Sequence, residues 1–175
     1  MRKVADAGGR DLKWTQPSTW KRTYLLASGG EQVGRLEFQG MFGTLAQAET
    51  GDGLWTFKRV GFWQQRASIR AGGSDQEVAA FQNNTWQNGG TLEFPGGRSF
   101  RATTNFWNTK FQFEDADGSM LVHFDYGGMF HLSADVAVAP AARALPELPV
   151  LICFGWYLAV MLHADSTAAV AAASS

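Results

Sequence analysis

Hydrophobic and polar residues alternate with a period of two through most of the chain, from Asp11 to about Val138, and Gly, Asn and Asp repeatedly break the alternation. That pattern predicts strands with one buried and one wet face, joined by tight turns. The segments 12–15, 23–27, 33–39, 42–49, 54–60, 66–70, 77–81, 91–94, 98–103, 110–114, 120–126 and 130–138 read as about twelve strands. In 54–60, Trp55 and Phe57 share one face, and Thr56 and Lys58 share the other. Turn signals such as Ser28-Gly29-Gly30, Pro95-Gly96-Gly97 and Asp115-Ala116-Asp117-Gly118 lie between them.

After Val138 the pattern changes. Residues 139–147 (APAARALPE) are too rich in Pro for a strand and suit a connection across the mouth of a sheet. Residues 148–162 (LPVLICFGWYLAVML) carry no charge and are apolar on every side. A helix of that kind must be buried all round, in lipid or in protein. Crossing a bilayer takes about 20 apolar residues, so a shorter run containing Pro149 and Gly155 and closed by His163 and Asp165 points to protein. The helix is expected over about 146–164, with Pro149 in its first turn, Glu147 facing its positive end and His163 near its negative end. The domain then covers 11–165, between a flexible segment 1–10 and an Ala/Ser-rich tail, 166–175, expected to fray.

The dimensions tie the two patterns together. Twelve strands about 4.8 Å apart and tilted by about 40° close into a barrel roughly 24 Å across, wider than its own side chains can fill. A helix about 10 Å in diameter fits the axis, and fifteen residues at about 1.5 Å each match the length of a seven-residue strand. The predicted fold class is all-β: a closed twelve-stranded antiparallel barrel threaded by a hydrophobic C-terminal α-helix. A bulky aromatic residue of the wall is expected to pack against Gly155, where the missing side chain gives it space.

Composition supports that picture. Of 175 residues, 45% are hydrophobic and only 18% charged, with 20 Gly, 7 Trp and 13 Phe, as expected for a large core with many turns. The net charge of −1 argues against a general nucleic-acid binder. Arg2, Lys3, Arg10, Lys13, Lys21 and Arg22 crowd the first 22 positions against only Asp6 and Asp11. That basic start is read as solvated, with anionic lipid or another acidic partner as the alternative. The single Cys153, inside the apolar run, excludes a disulfide framework or a cysteine metal site and reads as a buried small hydrophobe. The residues after Met1 lack the apolar core of a signal peptide, so a cytoplasmic location is expected.

The order of elements resembles the tubby-like superfamily of tubby C-terminal domains, LURP-one-related proteins and phospholipid scramblases. The resemblance covers roughly residues 11–163. It rests on the twelve-strand series, the W-x-F strand Trp55-Thr56-Phe57, the D-x-D-G hairpin Asp115 to Gly118 and the closing run 148–162. It implies the threaded barrel and, from tubby domains, basic side chains that hold phosphoinositide headgroups. Scramblases add a cysteine-rich segment and an acidic calcium-binding stretch, and this sequence has neither.

Candidate chemistry is sparse. His123 and Asp125 fall on one strand face, opposite Phe124, and are expected to meet solvent; His131 would have to join them to complete a three-ligand cluster. Asp115-Ala116-Asp117-Gly118 reads as a hairpin, since position twelve of a calcium loop starting at Asp115 is Tyr126. No G-x-S-x-G, P-loop or G-x-G-x-x-G occurs, and neither a cofactor nor an enzymatic activity is expected. Lys21, Arg22, Lys58, Arg59, Arg98 and Arg101 are the cations most able to form an anion-binding patch, with Lys58 and Arg101 opposite the aromatic phase of their strands and so outside. Trp63, Trp86 and Trp107 stand near Gly- and Asn-rich loops, where they are expected to pack at the core or rim; exposed, they would anchor a membrane interface or a partner. The expectation is a non-enzymatic binding or scaffold domain that attaches peripherally to anionic lipid or to a protein partner. The alternative is a small-molecule or enzymatic site at the barrel mouth.

Overall fold

The computed structural model describes residues 1–7, 11–60, 65–84, 89–105, 107–128 and 130–175. Alternating apolar residues build β1 (Leu12–Thr15), β2 (Thr23–Ser28), β3 (Glu31–Phe38), β4 (Ala46–Thr50), β5 (Gly53–Val60) and β6 (Arg66–Ala71). The series continues with β7 (Glu77–Asn84), β8 (Gly89–Glu93), β9 (Ser99–Thr104), β10 (Lys110–Glu114), β11 (Met120–Gly127) and β12 (Ser133–Val138). Each strand pairs antiparallel with the next, and β12 returns to β1, setting Leu12 opposite Val136 and Trp14 opposite Ala134, so the barrel is closed. Closure leaves no unpaired strand edge. The inward phase carries the core, including Trp14, Leu26, Leu36, Phe57, Ile69, Leu92, Phe113 and Phe124.

The barrel holds α1 (Leu148–Ala173), whose residues from Leu148 to Met161 are all buried. Side chains from around the wall reach it. Trp156 meets Trp14 of β1, Tyr24 of β2 and Tyr126 of β11. Phe154 meets Phe57 of β5 and Phe81 of β7, and Tyr157 stacks on Phe38 of β3. By length and composition this helix could cross a bilayer, but 78% of its apolar window is covered by the barrel. Gly155 lies where wall and helix come closest. A Cβ there would sit 2.6 Å from the Phe124 ring and 3.1 Å from that of Phe113, so two aromatic side chains use the space its missing side chain leaves.

The helix begins at one end of the barrel, where Glu147 pairs with Arg98 at 3.1 Å. It leaves through the other, where Tyr157 Oη donates to the Thr44 carbonyl at 2.7 Å. Two expectations about the termini are corrected. Residues 1–7 are not a loose tail: Val4 and Ala7 are fully buried, the Val4 N–H donates to Asp52 at 2.7 Å and Arg2 pairs with Glu31 at 3.0 Å. Two apolar side chains and an ion pair tie this segment over the helix-start end. The helix also runs on to Ala173 instead of stopping near 164. Ala is the strongest helix former, and the hydroxyls of Ser166 and Thr167 return to the His163 carbonyl without breaking the helix. His163 therefore lies within the helix, not at its C-terminus.

Two strands start three or four residues later than expected, β4 at Ala46 and β12 at Ser133. In the first case the chain swings outward after Gln39, through Gly40 with φ of +77°, and the Gln39 N–H returns to the Leu45 carbonyl at 2.8 Å. In the second, Gly128 turns at φ of +131° and His131 Nδ1 bonds the Gln16 carbonyl at 3.0 Å. Phe42 and Phe130, counted as strand residues from their apolarity, are instead at loop tips.

Candidate functional site

The six candidate cations do not form one patch. Lys21 and Arg22 at the start of β2, and Lys58 and Arg59 late in β5, lie toward the helix-exit end. Arg98, just before β9, and Arg101, in its first half, lie toward the opposite end. Pairing divides them further. Arg98 is held by Glu147, and Arg101 by Glu114 across β9 and β10. Arg59 pairs with Asp165 of the emerging helix at 2.9 Å and has only 13% of its side chain exposed. Arg22 lies 4.0 Å over the Phe38 ring and donates to the carbonyls of Met41 and Gly43 at 3.4 and 2.7 Å. Burial lowers its pKa, against the opposing pull of Tyr24 and Tyr157. Lys21 and Lys58 are exposed, and among the described residues neither ammonium has an ion-pair partner.

Around these cations the two ends of the barrel differ in composition. At the helix-start end the connections 29–30, 51–52, 72–76, 94–98, 115–119 and 139–147 are rich in Gly and carry Asp52, Asp75, Asp115, Asp117 and Glu147. At the helix-exit end the stretches joining consecutive strands, 16–22, 39–45, 61–65, 85–88, 105–109 and 128–132, contain no Asp or Glu. Large apolar side chains project there. Trp20 is 85% exposed, Phe42 96%, Trp107 77% and Phe130 75%, with Met41 beside Phe42. Trp107 is thus largely exposed, where core or rim packing was expected. Trp63 and Trp86 lie outside the described residues. The sequence reading missed Trp20, Phe42 and Phe130; the readable signal was that alternate connections carry a large aromatic while the others carry Gly and Asp.

The surface at this end is indented beside the emerging helix. A cleft of about 230 Å³ is floored by Phe81, Phe111, Leu158 and Leu162 and bordered by Arg59 and Arg66. No carboxylate lines it among the described residues. A smaller hollow of about 130 Å³ lies on the other side of the helix, between Arg22, Phe130 and His163.

The remaining candidates resolve into wall structure. His123 and Asp125 do point outward while Phe124 is buried, as expected. His123 Nδ1 lies 3.2 Å from Gln112 Oε1, and burial lowers its pKa, with Lys110 adding to the effect and Asp125 opposing it. His131 does not join them, because its ring is bonded to the Gln16 carbonyl in the β11–β12 connection. No group of three or more metal-ligating side chains occurs among the described residues. Asp115 Oδ1 accepts from the N–H groups of Asp117 and Ser119, each at 2.9 Å, so it serves the hairpin. Cys153 is fully buried, and desolvation pushes its thiol pKa up, with Asp52 adding to that shift; this thiol is inert.

No family model matches the sequence, and no curated protein matches it. Among solved structures, an X-ray structure of a protein from Arabidopsis thaliana is similar at 10% sequence identity and a TM-score of 0.49, covering 82% of this chain and 91% of the plant chain.

Proposed function

We propose that this chain is a non-enzymatic binding barrel of the tubby-like kind, a cytoplasmic protein that attaches peripherally to anionic lipid surfaces through its helix-exit end. One observation carries the reading: the connections at that end have no carboxylate, while Lys21 and Lys58 are exposed there without ion-pair partners. A negative surface approaching from this side meets Lys21, Lys58 and amides, with Asp165 of the emerging helix paired to Arg59, and the Asp-bearing hairpins face away. Each Lys or Arg near an anionic bilayer is worth about 1 kcal/mol, and the attraction fades as salt shortens the Debye length below about 10 Å. Arg22 and Arg59 support the surface from within, while Arg98 and Arg101 play no part in it.

Vesicle co-sedimentation tests the proposal. The protein is expected to pellet with vesicles containing phosphatidylserine at low salt, less at high salt, and not with neutral vesicles. Lys21→Ala/Lys58→Ala should weaken binding about tenfold or more, by the sum of two such contributions. Failure to pellet with anionic vesicles at low salt would remove the lipid reading. A second reading, a small-molecule site, is favoured by the cleft beside the helix, where an apolar floor lies beside Arg59 and Arg66, whose ion-pair partners Asp165 and Glu77 stand outside the lining. It predicts that a small amphiphilic anion raises the thermal transition, and that Leu162→Trp, which fills the cleft, abolishes the shift.

A further inference from the structure

The exposed aromatic residues are not scattered. Among the described residues, the five most exposed large apolar side chains of the strand connections are Trp20, Met41, Phe42, Trp107 and Phe130, and all lie at the helix-exit end, spread over four different connections. None stands on the acidic hairpins opposite. We infer that these tips enter the interfacial region of a bilayer, so that the protein is wedged into the membrane and not only held above it by charge. The inference rests on the lipid-docking reading and adds its mode.

Three observations favour a bilayer over a protein partner as the occupant. The tips are dominated by Trp and Phe, the residues that settle at headgroup depth, where one edge of the ring is apolar and the surroundings are wet. They are distributed around the helix exit, whereas protein-binding hot spots cluster near the centre of an interface. The helix itself projects from the same end, and its exposed portion is suited to lipid: beyond Asp165, which Arg59 neutralises, residues 166–175 carry no charged side chain and are mostly Ala and Val. A projecting segment rich in charge would hold the tips away from a membrane. This one can enter with them.

The wedge is also held in shape. Arg22 reaches from just before β2 to the carbonyls of Met41 and Gly43 and lies on Phe38, so one half-buried guanidinium fixes the turn that presents Phe42. Arg22 is a positioning residue for the tip, in place of the headgroup ligand the sequence suggests.

The test uses the full chain with phosphatidylserine vesicles whose acyl chains are brominated near the headgroup. In a Trp63→Phe/Trp86→Phe background, Trp20 and Trp107 emission should be quenched on binding, and the quenching should largely disappear on adding Trp20→Phe/Trp107→Phe, because Trp14 and Trp156 are buried in the core and Trp55 stands near the start of β5, toward the opposite end. Trp20→Ser/Phe42→Ser/Phe130→Ser should bind at least tenfold more weakly at constant salt, with an unchanged thermal transition, since all three side chains are exposed. A chain ending at Ser166 should lose part of the affinity. Salt-sensitive binding without quenching, and undiminished in the triple Ser variant, would overturn insertion while leaving electrostatic docking in place. No binding to any vesicle would overturn both.

Discussion

Gly155 shows how tightly the helix is fitted. Replacing Gly by Ala in a helix normally gains about 1 kcal/mol, yet here the added methyl group would lie 2.6 Å from the Phe124 ring. Overpacking of this kind typically costs 1–3 kcal/mol. Gly155→Ala is therefore predicted to lower stability in chemical denaturation, and Gly155→Leu to lower it further; an unchanged or raised midpoint would mean that Phe124 and Phe113 yield easily. On the outer wall Glu114 gives a pH signature. Burial by itself would raise its pKa, but hydrogen bonds from Gln112, Arg101 and Thr103, together with the Arg101 charge, hold it below the ordinary carboxylate value. A lowered folded-state pKa means that the contribution is complete above the unfolded-state value of about 4.3 and is lost as pH falls through the folded one. The stability gap between wild type and Glu114→Gln should accordingly be largest near pH 6 and close on acidification below about pH 4. A gap independent of pH would show that the carboxylate charge contributes nothing.

Among the elements, the strands and the helix core were legible because period-two alternation and all-round apolarity follow directly from burial geometry. β1 and β10 have the bounds expected from the pattern, and Leu148 starts the helix. The connections were less legible. Apolarity assigned Phe42 and Phe130 to strands, and only Gly40 and Gly128, at positive φ, with the hydrogen bonds that close the turns, place them outside. The six cations were visible as charges but not as a site, because pairing partners such as Glu147 and Asp165 come from segments distant in sequence. The helix itself divides into two parts with different predicted roles. A chain ending at Glu147 should lose its cooperative thermal transition, since burying each large side chain is worth roughly 1.5–3 kcal/mol against a net stability of 5–15 kcal/mol. A chain ending at Ser166 should keep its transition temperature, because residues 167–175 are exposed.

At the scale of the whole molecule, the barrel is polar along its axis. Its helix-start end is sealed by residues 1–7 and edged with Asp-bearing hairpins, while its helix-exit end is free of acids in its connections and studded with aromatic tips. A net charge of −1 hides this division, because the sum does not register that the connections at one end carry Asp and Glu while those at the other carry neither. In the proposed lipid docking, such polarity would orient the protein with its helix-exit end toward the negative surface. Charge reversal at the two ends tests this orientation most directly. Lys21→Glu/Lys58→Glu at the helix-exit side and Arg70→Glu/Arg143→Glu near the other end change the net charge equally. Measured by co-sedimentation with phosphatidylserine vesicles at low salt, binding is predicted to be lost in the first variant and to stay close to wild type in the second. Equal weakening by both would contradict an oriented surface and reduce the effect to net charge alone.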